Sequence, residues 1–255
     1  TAGGDGGAEV IYICIPAYNE ERTIGVVLWK IREVMAEFER DYEVLVVDDG
    51  STDGTSDVIE PYARVMPVLV RRHTRREGYA ASLEALLREA VARTAYPKRD
   101  VVVTLQADFT DEPGDIVTLV KRIEGGADVV TGHVRLVPEE TPRLLRWTRR
   151  TWHHLLRRLH GGDAEGDVLS GFRAYRVIAL RKALEEAGER LLTVEGWAAN
   201  AQLLSRVLPH SRRTEAVDVH VRYARQQRAS RFQPVRVSLE LARLLRGDRP
   251  ARGPA

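Results

Sequence analysis

Three stretches of the chain place acidic side chains directly behind apolar, β-branched runs. Ile13-Cys14-Ile15 leads into Pro16-Ala17-Tyr18-Asn19-Glu20-Glu21, and Val46-Val47 into Asp48-Asp49-Gly50-Ser51-Thr52-Asp53-Gly54-Thr55. Val101-Val102-Val103-Thr104-Leu105 leads into Gln106-Ala107-Asp108-Phe109-Thr110-Asp111-Glu112-Pro113. Carboxylates so placed can accept hydrogen bonds from a base or ribose, and they can ligate a hard cation through oxygen. Each acid taken singly is an ordinary turn residue. Three such ends in succession argue for a ligand site, because open α/β sheets bind ligands beyond the carboxyl ends of their strands.

The elements that must carry these acids follow from the apolar spacing. Val10–Ile15, Glu43–Val47, Val68–Val70, Val101–Thr104 and Asp128–Gly132 are short runs suited to strands buried on both faces. Between them, Ile24, Val27, Leu28, Ile31 and Met35 recur at helical spacing, with Asn19 expected to cap that helix. Val58, Ile59 and Tyr62 read as a further helix, and Tyr79–Thr94 as another with Leu83, Leu86, Leu87 and Val91 on one side. Pro113 and Asp115 suit the first turn of a helix running through Lys121. Val177–Gly188 and Glu195–Val207 read as helices, and Val217, Val219 and Val221 alternate as a strand. Strands alternating with helices call for an α/β fold with a mostly parallel central sheet and right-handed crossovers.

Composition bounds the function classes. The 255 residues, 44% of them apolar, suffice for a full α/β core, as one large domain or one domain with an appendage. Lys30, Lys98, Lys121 and Lys182 are the lysines; every other basic side chain but histidine is arginine, a bias that base composition of a genome explains as readily as phosphate binding. The single cysteine, Cys14, excludes an internal disulfide and a cysteine-rich zinc site. The seven histidines, His73, His133, His153, His154, His160, His210 and His220, have no metal-ligand spacing. No signal peptide or spanning apolar stretch is read. Thr1–Ala8 and Arg249–Ala255 are expected to be unstructured.

The turn after the first strand lacks the glycines of a dinucleotide site, and no Walker lysine motif occurs, so phosphates must be met by metal or arginine. Together with Asp167-Val168-Leu169-Ser170-Gly171-Phe172-Arg173, the first two motifs resemble those of family 2 inverting glycosyltransferases of the GT-A fold, the polyprenyl-phosphate sugar synthases above all. The resemblance runs from about Ile11 to Phe232 and ends in a weaker match at Arg228-Ala229-Ser230-Arg231-Phe232. It implies a GT-A domain over residues 9–232, preceded by the disordered segment 1–8 and followed by an amphipathic helix and tail over 233–255. Pro16, Tyr18, Glu20 and Asp48 would then hold the base and ribose, and Asp49 and Asp108 would lie near the sugar diphosphate. The motif at Asp167 would line the sugar and acceptor end, and Glu195 matches a recurrent family acid.

Where the family has Asp-x-Asp, this chain has Gln106 and Asp108, with Thr110 in the slot of a family Gln. An amide is a weaker ligand than a carboxylate, but Mg²⁺ or Mn²⁺ on Asp108 and Gln106, completed by phosphate and water, remains reasonable, with Asp111 nearby. The resemblance implies transfer of a hexose from a GDP- or UDP-hexose to a polyprenyl phosphate, whose anionic oxygen needs no general base. A hydroxyl acceptor would need one, and Asp167 is then the candidate; a nucleotide-sugar-binding relative with impaired catalysis is the third alternative.

Thr141–His160 reads as a basic amphipathic helix, with Leu145, Trp152, Leu155, Leu156 and Leu159 opposite Arg143, Arg146, Arg150 and Arg157. Such a helix either packs on the core or lies in a membrane interface, with Trp147 and Trp152 as anchors. By family position Arg135 and Arg146 would receive the acceptor phosphate. Val235–Leu245 offers a short amphipathic helix that could rest on the membrane or on a second copy of the chain. The expected partners are therefore a nucleotide-sugar, a polyprenyl phosphate and a membrane surface, with no nucleic acid, and the expected place is the cytoplasmic, inner face of a membrane.

Overall fold

The computed structural model describes residues 9–134, 166–220 and 239–242. The expectations for Thr1–Ala8, Arg135, Arg146, Thr141–His160, Arg228–Phe232 and Arg249–Ala255 lie outside the described residues.

The apolar runs form strands β1 (Val10–Ala17), β2 (Asp41–Asp48), β3 (Val68–Arg72), β4 (Val101–Thr104) and β5 (Val129–Val134), joined by β6 (Arg173–Arg176) and β7 (Thr214–Val219). They make one seven-stranded sheet in the order β3-β2-β1-β4-β6-β5-β7. Only β6 runs antiparallel to its neighbours β4 and β5; the remaining pairings are parallel. The chain proceeds outward from β1 through β2 to β3, then returns to place β4 on the other side of β1. This reversal is a topological switch point, and it opens a crevice at the carboxyl ends of β1 and β4.

Helices α1 (Ile24–Phe38), α2 (Thr55–Ile59), α3 (Tyr79–Arg93), α4 (Ile116–Glu124), α5 (Val177–Ala187) and α6 (Trp197–Val207) cover the sheet. Because side chains alternate along a strand, β1 feeds both layers. Ile11, Ile13 and Ile15 pack with α1 and α4, while Tyr12 and Cys14 pack with α3, α5 and α6. The buried face of α1 is Ile24, Val27, Leu28, Ile31 and Met35, the five residues picked out by their spacing. Its start differs from expectation. Asn19 adopts a left-handed φ of 52° and does not cap the helix; Thr23 holds that position, and the Glu20 carbonyl accepts from the N–H groups of Thr23 and Ile24. The helix expected from Glu195 begins at Trp197, after Gly196 at φ 61°.

Pro113 opens a 3-10 turn leading into α4, as its fixed φ favours. Residues 239–242 are helical, and Leu241 is buried in the core layer that also holds Tyr12, Cys14 and the inner face of α3. Leu239 remains exposed.

Candidate nucleotide-sugar site

The register brings the first two acidic ends side by side: Ala17 pairs with Asp48, and the N–H of Asp49 donates to the Ala17 carbonyl at 2.8 Å. The turn after β1 is then fastened to the turn after β2. Asn19 N–H donates to Ser51 Oγ at 2.9 Å, Thr52 N–H to Asn19 Oδ1 at 2.8 Å, and Glu20 N–H to Thr55 Oγ1 at 2.8 Å. The left-handed conformation of Asn19 is what aims its amide at this turn. Glu20 is buried, and its carboxylate accepts from the Thr23 hydroxyl at 3.0 Å.

Asp48 is 0% exposed and Asp49 3%. Asp48 accepts from Ser51 N–H at 2.9 Å and from the Ser56 hydroxyl, which closes the Gly50–Ser56 turn. Asp49 accepts from Glu77 N–H at 2.8 Å and Gly78 N–H at 2.9 Å. His73 Nδ1 lies 2.9 Å from the same carboxylate, whose acceptor-only oxygen places the imidazole proton on Nδ1. Both acids thus shape the edge, while Pro16 and Tyr18 remain half-buried along it.

Behind β4 the arrangement is more open. Gln106 and Asp108 are half-buried, and Phe109 takes a left-handed φ of 59° that folds the loop back. Asp108 Oδ1 accepts from Thr110 N–H at 3.1 Å and Thr110 Oγ1 at 2.6 Å. Asp111 is buried and accepts from the Gln106 N–H at 3.1 Å, so it braces the loop. No group of three or more His, Cys, Asp or Glu side chains able to hold a metal occurs among the described residues. One carboxylate and one amide oxygen fit a hard divalent cation that takes its remaining ligands from phosphate and water.

The Asp167 motif lines the other side of β4. Thr104 Oγ1 donates to the Gly171 carbonyl at 2.5 Å, and Asp167 Oδ1 accepts from Leu169 N–H at 2.9 Å. Beneath it, Arg173 is 0% exposed and donates to the carbonyls of Asn200 at 2.5 Å, Val168 at 2.6 Å and Asp167 at 3.2 Å. Tyr79, the first residue of α3, donates to Asn200 Oδ1 at 2.8 Å, and Asn200 Nδ2 donates to the Leu169 carbonyl at 3.3 Å. Burial pushes the pKa of the Tyr79 hydroxyl up, so it stays a donor. Glu195 accepts from the Ala80 N–H at 3.3 Å, at the positive end of α3.

The structure therefore assembles Pro16, Tyr18, Glu20, Asp48, Asp49, Gln106, Asp108 and Asp167 around one edge of the sheet. Sequence reasoning passed over His73, Tyr79 and Asn200, which join its parts. For His73 the available signal was the dense Arg71–Arg76 segment, which runs off the end of β3. A groove of about 490 Å³ along α3, lined by Arg71, Arg88, Glu89 and Arg190 among others, contains none of the predicted site residues.

The family model for glycosyl transferase family 2 matches residues 12–185. The undecaprenyl-phosphate 4-deoxy-4-formamido-L-arabinose transferase of Enterobacter sp. (strain 638) is 30% identical over 174 residues, covering 65% of this chain and 48% of that protein. The protein of the same name from Pseudomonas fluorescens (strain Pf0-1) is 35% identical over 127 residues, covering 49% and 35%. The chain thus spans about half the length of the first of these relatives and about a third of the second. Among solved structures, glucosyl-3-phosphoglycerate synthase from Mycobacterium tuberculosis in complex with Mn²⁺, UDP and glucosyl-3-phosphoglycerate superposes with a TM-score of 0.62 at 23% identity. That likeness covers 97% of this chain and 82% of that one, and at such identity it speaks to the fold: the mixed α/β, mostly parallel GT-A sheet.

Proposed function

The chain belongs to glycosyl transferase family 2, and from that premise we propose that it moves a hexose-like sugar from a nucleotide-sugar to a polyprenyl phosphate at a membrane surface. The observation that carries this reading is the convergence of the Pro16–Glu20, Asp48–Ser56 and Gln106–Asp111 loops on the switch point between β1 and β4. Relatives named for undecaprenyl phosphate support the lipid acceptor.

In this reading Tyr18 faces the base, with the fastened turns of Asn19, Glu20 and Asp48 presenting backbone and hydroxyl groups to the ribose. Asp108 and Gln106 would hold Mg²⁺ or Mn²⁺, which supplies charge to the departing nucleoside diphosphate when bound. An oxygen of the acceptor phosphate attacks the anomeric carbon as the bond from that carbon to the diphosphate oxygen breaks, inverting the centre. The acceptor is already anionic, so no protein group has to remove a proton. Catalysis is then positioning and electrostatics, and the bracing of the 167–173 loop by Arg173 and Asn200 keeps the acceptor end in place. Arg135 and Arg146 are the arginines proposed to receive the acceptor phosphate. The relatives' lipid-phosphate acceptor supports assigning the contact to the membrane interface, and we place it at the cytoplasmic face.

The test is incubation of the protein with UDP- and GDP-sugars, Mn²⁺ and undecaprenyl phosphate, following release of nucleoside diphosphate. Lipid-dependent release is expected, and it should fall when Arg143, Arg146 and Arg150 are replaced by Glu. Release that instead depends on a soluble hydroxyl compound, phosphoglycerate among them, would replace the lipid acceptor and make Asp167 the candidate general base.

A further inference from the structure

The end of β3 and its connection to α3 read Arg71-Arg72-His73-Thr74-Arg75-Arg76-Glu77-Gly78, with four arginines in the first six residues. It crosses the carboxyl edge of the sheet from the outermost strand, β3, to the head of α3, and its path is fixed at several points. The His73 N–H donates to the Asp48 carbonyl at 2.9 Å, and Asp49 holds the His73 ring and the N–H groups of Glu77 and Gly78. Gly50, at φ +66°, lies under the arginines: a Cβ there would stand 2.7 Å from the Arg75 carbonyl carbon and 2.8 Å from the Arg76 nitrogen. A side chain at position 50 would therefore push the segment off the edge.

The arginines of this segment are not alike. Arg72 is engaged within the protein, donating to the Ser51 carbonyl at 3.1 Å with its Nε 3.6 Å from Asp48. Arg75 and Arg76 are exposed and make no hydrogen bond or ion pair with the described residues. The Arg76 guanidinium lies 4.2 Å from the centre of the Tyr18 ring, which puts a cation beside the predicted base-binding residue.

We propose that Arg75 and Arg76 bind the diphosphate of the donor, supplying positive charge where Gln106 leaves the metal loop one carboxylate short. This assignment rests on the nucleotide-sugar reading above. A guanidinium pairs with phosphate oxygens through two parallel N–H bonds, and the backbone clamp on Asp49 and Gly50 delivers both side chains with little loop ordering left to occur on binding. A weakly charged metal loop and a charged arginine segment then share one ligand. Nucleoside diphosphate binding is consequently expected to persist in part when divalent ions are removed, and to weaken as salt is raised.

Calorimetric titration of UDP and GDP into the protein, in EDTA and then in Mn²⁺, tests this. The parent is expected to bind at least one of the two in EDTA. Arg75→Ala/Arg76→Ala should weaken that binding by about tenfold or more, the scale of a lost charge-assisted hydrogen bond. Arg76→Lys should recover only part of it, because the ammonium lacks the fork. Circular dichroism of the variants checks that the fold is retained. Equal binding by parent and double variant in EDTA would overturn the arginine assignment alone, as would parent binding that requires Mn²⁺. Failure of the parent to bind UDP or GDP under either condition would remove the nucleotide-sugar reading and the assignment with it.

Discussion

At the end of β2, Asp48 and Asp49 are buried and accept hydrogen bonds from the chain's own N–H and hydroxyl groups, whereas behind β4 Gln106 and Asp108 are half-buried on a loop turned by a left-handed Phe109. The sequence patterns of the two regions are alike: an apolar strand, then acids. Their physical roles diverge because the β2 turn has a neighbour on each side. The β1 turn and the β3–α3 connection both lean on it, and their N–H groups need acceptors once water is excluded. The β4 loop has its carboxylate Asp111 turned inward for the same purpose, which leaves Gln106 and Asp108 as the groups nearer solvent. Acids at strand ends thus divide into buried ones that build the edge and a half-buried one, Asp108, that lies nearer solvent.

That contrast can be broken most severely at Asp49. Asp49→Ala strands the Glu77 and Gly78 N–H groups and the His73 ring, and a loss of about 2–4 kcal/mol in unfolding free energy is expected, read by urea denaturation. Nucleotide binding should fall with it because the β3–α3 connection is released. A loss under 0.5 kcal/mol, within the range of an ordinary surface substitution, would mean that Asp49 is not a structural acid.

Tyr79→Phe separates the edge from the acceptor end more gently. It removes the hydrogen bond to Asn200 and should cost about 1 kcal/mol in stability. Diphosphate binding should survive while sugar transfer slows, since Asn200 also holds the Leu169 carbonyl. Equal losses in binding and transfer, in a calorimetric and a turnover assay on the same variant, would contradict this division.

The smallest effect on the fold is expected at the half-buried position 106. Gln106→Asp leaves stability within about 0.5 kcal/mol of the parent and raises affinity for Mn²⁺ in the presence of nucleotide, because it adds a carboxylate to a hard-cation site. A metal titration with equal or weaker affinity would place Gln106 away from the cation.

Legibility from sequence followed the same line. Short continuous apolar runs and helical spacing mark which residues are buried, so β1 to β5 and the inner face of α1 could be read directly, and strand ends followed from them. Asn19 was misread because an Asn before two acids is a good helix cap in isolation; its actual partners, Ser51 and Thr52, lie across the sheet edge. His73, Tyr79 and Asn200 were missed for the same reason: each acts through a residue distant in sequence, and no local period marks such a pair. The acids themselves were found, but whether each one builds or binds depends on burial, which their spacing does not encode. The antiparallel insertion of β6 between β4 and β5 was likewise set by long-range packing, not by the pattern of Arg173–Arg176.

The most direct test of a divalent-assisted nucleotide site at this edge is calorimetry of UDP and GDP with Mn²⁺ on the parent and on Asp108→Ala. Asp108 lies in a loop and accepts from the N–H and hydroxyl of buried Thr110, so the variant is expected to lose about 1–2 kcal/mol in stability and to stay folded without urea, which circular dichroism checks. The account predicts that Mn²⁺ strengthens binding to the parent and leaves binding to Asp108→Ala unchanged. Equal Mn²⁺ enhancement in the two proteins would contradict it and place the cation elsewhere.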